Sequence, residues 1–498
     1  MVLKNNDLKL ATIKKTILFI LVLLSVLFNG CEDFLQEEPA SLIELKDFDA
    51  PLIENLIIGM YEPLTRSRGR LWESNWGRAL LLLEEHTISR YGENNRVANY
   101  QFKARRSLFD LGWPTIYESI SRANYLLKIL EQDNGLSDEV VTQAVGEASF
   151  VRAFAYYQLV RIFGKVPMRL EPLDNTNNVA TPLAEIYEIY QQIISDLKVA
   201  ESTLPAITHN LGRATAGAAK TALADVYLTL GMYEDSKAKA LEVIENKSVY
   251  NYALIASFEL LYSSISATND EDIFSLKFSR FVAQGSFLAA YAAPNSHWEV
   301  AAARGFEDFG ANTNAPILRD WDNNDLRKTL NIYNTAIING DTVDIPMAGA
   351  YTHVYGKHRD PGAPEETAAG VDYYMYRYAD ILLIFAEAEN HINGPTLVAY
   401  DAINKIRRRA YGLNINLESM QADLPQGLSQ KEFEDMVFRE RGYEFMFEGK
   451  RWFDLKRTGK WKTIIPEAGK DLPTDLFWPL PADEILYNDE IEYIQDNL

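Results

Sequence analysis

Three glutamates, Glu440, Glu444 and Glu448, recur at four-residue spacing inside a segment whose apolar residues, among them Phe433, Val437, Tyr443 and Phe447, follow a helical period. On a helix such residues stack along one stripe, where neighbouring like charges repel by about 0.2–0.5 kcal/mol per exposed pair. Burial makes the repulsion larger. A fold that keeps this helix must therefore bring cations to it. Arg441, Arg451 and Arg457 are close in sequence, and Arg407, Arg408 and Arg409 lie on an earlier helical segment. Gly449 is placed to end the helix, and Arg451-Trp452-Phe453-Asp454 takes the chain back across it. Catalytic acid–base carboxylates need a cleft and a raised pKa. A stripe facing arginines points instead to a structural ion-pair lock of Glu440, Glu444, Glu448, Arg441, Arg451 and Arg407.

The rest of the chain supplies helices for that lock to join. Apolar spacing predicts a first helix near Asp47–Thr65, then helices from Pro114 to Leu130, from a Ser137 cap to Phe163, and from Pro182 to Thr203. Ala214, Ala218, Ala222, Val226 and Leu230 recur every four residues, Gly231 breaks the pattern, and a second helix follows to Asn246. Small residues on that face let helices approach closely, and the pair resembles a tetratricopeptide hairpin. Tyr378–His391 and Thr396–Ala410 form another such pair. The expected fold is all-α, a scaffold of tetratricopeptide-like helical pairs with long loop insertions and minor β structure. Two stretches resist helical assignment: about 66–113, with one short helix at Leu80–Glu85, and about 263–372, rich in Gly, Asn, Asp and Pro.

The amino terminus reads differently. Lys14-Lys15 precede an apolar run from Ile17 to Phe28, too short to span a bilayer comfortably but suited to a signal peptide. Asn29-Gly30-Cys31 resembles a lipoprotein cleavage site, with Cys31, the single cysteine, as the lipid-attachment residue. The expected organisation is a signal peptide over 1–30, a lipidated tether over 31–46 and one helical domain over 47–498. A net charge of −21 repels nucleic acid phosphates, which excludes that partner.

Familiar chemical motifs are missing or broken. Gly212–Lys220 imitates a phosphate loop but has Ala218 where lysine must stand. His353 and His358 do not share a helical face, and Asp325 occupies the glycine position of a calcium-like loop beginning at Asp320. No metal or cofactor is expected. Aromatic rings in polar loops carry more information, because a flat ring stacks on the apolar face of a sugar while neighbouring polar groups take its hydroxyls. The candidates for ligand contact are Trp72, Trp76, Tyr91, Tyr100, Tyr291, Trp298, Trp321 and Tyr355. Trp298→Ala and Trp321→Ala are expected to weaken binding without lowering stability.

Several ordered motifs together resemble the SusD-like (RagB/SusD) lipoproteins. They are Cys31-Glu-Asp-Phe-Leu, Trp113-x-x-Ile116-Tyr117, Arg152-Ala153-Phe154, Phe163-Gly164-Lys165-Val166-Pro167, Arg377-Tyr378-Ala379-Asp380, Asn404-x-Ile406-Arg407, and Glu440-Arg441 through Leu455. The resemblance implies a non-enzymatic, lipid-anchored protein of the outer membrane that faces the cell exterior. It also implies a SusC-like, TonB-dependent transporter as partner and an oligosaccharide as ligand. A peptide-binding member of the same family and a surface glycoside hydrolase are the alternatives. The ending Asn488-Asp489-Glu490-Ile491 departs from the family pattern.

Overall fold

The computed structural model describes residues 49–491 apart from 67–70, 133–134, 173–179, 264–268, 282–283, 295–304, 339 and 366–367. The signal peptide, Cys31, the tether and Trp298 lie outside the described residues.

Helices of thirteen residues or more are, in chain order, α1 (Ala50–Thr65), α2 (Trp113–Leu130), α3 (Asp138–Phe163), α4 (Ile186–Thr203), α5 (Ala216–Thr229), α6 (Tyr233–Glu245), α7 (Tyr378–Asn393), α8 (Leu397–Ala410) and α9 (Gln430–Glu444). Their starts are set by local chemistry. The side chains of Asp49, Ser137, Thr215 and Thr396 each accept the backbone N–H three residues on, satisfying donors that a helix start leaves unpaired. Ser429 and Glu432 form a reciprocal capping box at α9. Gly164 and Gly394 stop α3 and α7 with φ of 76° and 78°, which a side chain would strain. At the Pro182 segment the helix begins later than expected, at Ile186, where Glu185 and Glu188 cap each other.

Each helix packs on its successor from α1 through α8, and α9 packs on α7. This is the helical-pair scaffold expected from the sequence, and the fold class is all-α with small sheets. Ala218 and Ala219 on α5 are fully buried, and Ser236 on α6 donates to the Ala224 carbonyl at 2.8 Å, so the two backbones run close.

The insertion between α6 and α7 leaves and returns at nearly one place. Its early strand Asp272–Leu276 pairs antiparallel with Tyr373–Arg377, the residues that lead directly into α7. Pairing the two ends is what lets α7 stack on α6 across more than a hundred intervening residues. Inside the insertion, Ile332–Tyr333 pairs with Val354–Tyr355, and Thr335–Ile338 with Asp341–Asp344. In the earlier irregular stretch a short helix spans Asn75–Leu82 rather than Leu80–Glu85, and another, not expected, spans Gly92–Ala98. Glu84 and Glu85 stand outside the first, accepting from the Phe447 backbone N–H and from Arg451.

Candidate functional site

The three glutamates form a buried charge network, although the helix ends at Glu444 rather than at Gly449, so that Glu440 and Glu444 lie on α9 and Glu448 in the turn that follows. Glu440, Glu444 and Glu448 are 1%, 0% and 3% exposed. Glu444 lies 2.8 Å from Arg327, 2.8 Å from Arg377 and 2.5 Å from Arg409. Glu448 meets Arg377 and Lys357 at 2.8 and 2.9 Å, and Glu440 meets Arg327 and Arg407 at 2.8 and 3.0 Å. Glu271, from the insertion, joins Arg377 and Arg409 at 2.6 and 2.5 Å. Burial alone pushes the Glu444 carboxyl up, but Arg409, Arg377 and Arg327 together outweigh it and hold it below the usual range. Glu448 is held down in the same way by Arg377 and Lys357. Glu444 and Glu448 are ionised, paired carboxylates.

Two of the arginines expected at this stripe serve other partners. Arg441, one residue from Glu440, is turned about 100° around the helix and donates to Asp454 at 2.8 Å. Arg451, beyond Gly449, donates to Glu85 at 2.6 Å. Arg407 does meet Glu440 and Arg409 meets Glu444, as their place on the earlier helix suggested, while Arg327, Arg377 and Lys357 join from the insertion and its closing strand.

The candidate rings divide sharply by burial. Trp72, Trp76, Tyr100, Trp321 and Tyr355 are each 3% exposed or less. Trp76 donates its indole N–H to the Phe109 carbonyl at 2.8 Å and packs edge-on to Trp72. Tyr100 packs on Trp452. Trp321 stacks on Tyr443 with its indole N–H on Asp325 at 2.9 Å. Tyr355 stacks on Phe447, its hydroxyl 2.6 Å from His86. These five present no face to a ligand; they are packing rings, and that corrects the expectation of exposure. Polar, glycine-rich sequence around a tryptophan reflects the backbone of the loop, while the ring itself is drawn inward by the large apolar area it buries.

Tyr91 and Tyr291 behave differently. Tyr91 is 46% exposed, and Tyr291 is half-buried. The strand Thr87–Ser89 pairs antiparallel with Phe309–Ala311, and this pairing joins the two irregular stretches. Arg90 emerges from it, with its guanidinium 4.7 Å over the Tyr91 ring and donating to the Tyr91 hydroxyl at 2.7 Å and to the Phe306 carbonyl at 2.6 Å. Phe306, 37% exposed, packs 5.8 Å from Tyr291, and Arg78 sits 4.5 Å over the Tyr291 ring. Beneath them Asp308 accepts from Arg78 at 3.0 Å and from Asn94 at 2.6 Å. Burial pushes the Tyr291 hydroxyl above its ordinary value, so it stays a neutral donor. Arg90, Phe306, Arg78 and Asp308 were not singled out from sequence as contact residues; only their pairing across two distant stretches marks them. The result is a set of rings and polar groups fixed on a strand pair, able to stack on a flat ligand and to hydrogen-bond its edges.

Comparison with known proteins gives a consistent relationship. Residues 298–471 match a family model described as "SusD family", and residues 33–228 match one described as "Starch-binding associating with outer membrane". "SusD-like protein P2" of Formosa agariphila is 26% identical over 96% of this chain and 98% of its own length. "SusD-like protein P25" of the same organism is 24% identical over 94% of this chain and 96% of its own length. Among solved structures, a SusD homolog from Bacteroides thetaiotaomicron superposes with a TM-score of 0.79 at 23% identity, covering 92% of this chain and 99% of that one. A "Laminarin binding SusD-like protein" gives 0.72 at 22% identity over 89% of this chain and 98% of its own.

Proposed function

From the premise that this chain belongs to the SusD-like family, we propose that it captures oligosaccharides at the outer-membrane surface, without catalysis, and passes them to a SusC-like, TonB-dependent transporter. Cys31 carries the lipid that anchors it. The observation that supports the ligand assignment best is the meeting of the two irregular stretches at the Thr87–Ser89 and Phe309–Ala311 pairing. It presents Tyr91, Phe306 and Tyr291 beside Arg90, Arg78 and Asp308. Rings supply stacking area and Arg90 supplies directional bonds that fix orientation, while the buried Arg78–Asp308 pair holds the Tyr291 ring from beneath.

The test is a glycan and peptide array probed with protein lacking residues 1–31, followed by titration of the hits. Binding of neutral or acidic glycans that falls with Tyr91→Ala supports the reading. Binding confined to peptides would move the protein to the peptide-binding branch. Release of product from any glycan would make it a hydrolase instead. For the anchor, Cys31→Ser should release the protein from membranes.

A further inference from the structure

A second groove, built from none of the residues of the Tyr91 surface, lies between the entry to α2 and the last short helix, Ala482–Tyr487. Its volume is about 460 Å³, within the range of about 300–1,000 Å³ usual for small-ligand sites. The α2 side contributes Leu111, Trp113 and Pro114, and the other side Pro481, Ala482 and Tyr487. The Tyr487 ring is 71% exposed and Leu111 41% exposed, so apolar faces are displayed here rather than packed away.

The two sides are tied together. Glu484 accepts from the Trp113 indole N–H at 3.1 Å, from Arg169 at 2.7 Å and from Asn488 at 2.8 Å. Asn488 in turn bonds both backbone groups of Thr181. The groove is therefore shaped before any ligand arrives, which lowers the ordering cost of binding.

Its polar groups are the carboxylates of Asp110, Asp483 and Glu484, the amide of Asn488 and the Arg169 guanidinium, whose charge is answered by Glu484 at 2.7 Å, so Asp110 and Asp483 leave the groove acidic. Asp110 lines it and has one carboxylate oxygen, Oδ1, buried with no hydrogen-bond partner, while Oδ2 lies 3.9 Å from Arg106. An unmet buried acceptor is costly and is relieved by a donor. Burial raises the Asp110 carboxyl to about 6, with nearby Asp483 adding to the rise and Arg106 opposing it. Hydroxyl donors suit such acceptors. An anionic ligand meets Asp110, Asp483 and Glu484, and a pure hydrocarbon leaves those groups desolvated and unpaired.

We propose that this groove is a second glycan subsite, taking an uncharged sugar residue stacked on Tyr487 with its hydroxyls donated to Asp110 and Asp483. The inference rests on the reading of the protein as glycan-binding.

The test uses the protein lacking residues 1–31 and a panel of neutral laminari-, malto-, xylo- and manno-oligosaccharides, with tetralysine as the cationic control. Wild type, Tyr487→Ala, Asp110→Asn and Tyr91→Ala are titrated calorimetrically, and melting temperatures are measured in parallel. Tyr487→Ala should weaken binding of long oligosaccharides roughly tenfold with an unchanged melting temperature, Asp110→Asn should act in the same direction, and the loss should add to that of Tyr91→Ala. If both groove variants bind like wild type while Tyr91→Ala does not, the subsite is wrong and the glycan reading stands. If tetralysine binds and Tyr487→Ala abolishes it, the groove takes cations instead. A panel that binds nowhere overturns both.

Discussion

The glutamate cluster of α9 and the turn after it and the Tyr91 surface are both built from charged and aromatic residues, yet they use them oppositely. In the stripe, Glu444 and Glu448 are enclosed and each carboxylate meets at least two cations. Charge there closes a junction between the insertion, α8 and α9. At the Tyr91 surface the rings remain partly open, and Arg90 holds them from the side. The same residue types hold the fold together where they are surrounded and are available to a ligand where one flank faces water. Burial, rather than residue type, separates the two roles.

That contrast can be broken from either side. The largest effect is expected for Arg377→Ala, which takes one buried cation from each of Glu271, Glu444 and Glu448 at once and leaves Glu448 only lysine partners. It should cost about 5 kcal/mol, read by denaturant unfolding, and a loss near zero would mean the stripe is solvated. Trp321→Ala comes next, at about 4 kcal/mol, because its ring is 3% exposed and stacked on Tyr443. Weakened binding with unchanged stability would return Trp321 to the ligand surface. Arg451→Ala, which leaves Glu85 alone, should cost about 3 kcal/mol by the same measurement.

A smaller effect follows from pH. Burial lowers the His358 imidazole to about 4, with Lys357 adding to the fall and the Phe447 carbonyl opposing it. The unfolded chain titrates near 6.5, so it takes up the proton first as pH falls. Stability is full above that value and drains between about 6.5 and 4, by about 2 kcal/mol from pH 7 to 5. His358→Gln should flatten that slope in melting curves, and an unchanged slope would locate the acid sensitivity elsewhere. Smallest in stability is Tyr91→Ala, expected within about 0.5 kcal/mol of wild type while glycan affinity falls roughly tenfold. A large loss of stability there would make Tyr91 another packing ring.

Helix positions were legible because they depend on near neighbours. Ser137 caps where its spacing to the next apolar run says it should, and the alanine period of α5 leads to close packing on α6. The need of the glutamate stripe for cations was also legible, since repulsion at four-residue spacing is a local fact. Of the cations that answer it, Arg407 and Arg409 were legible and the rest were not. Arg327 and Lys357 come from within the insertion, and Arg377 ends the strand that closes it. Among the rings, neither the inward turn of Trp72, Trp76 and Trp321 nor the outward turn of Tyr91 is written in the flanking residues.

The sequence by itself therefore determined the helical scaffold, its caps and the presence of a charge that had to be neutralised, all through interactions among residues a few positions apart. Only the tertiary structure decided which arginines neutralise it, which aromatic rings are core, and that Arg90 and Phe306 meet beside Tyr91. Those outcomes depend on segments tens to hundreds of residues apart in the chain, 33 for Arg407 and Glu440 and 216 for Arg90 and Phe306, brought together by strand pairing and helix stacking.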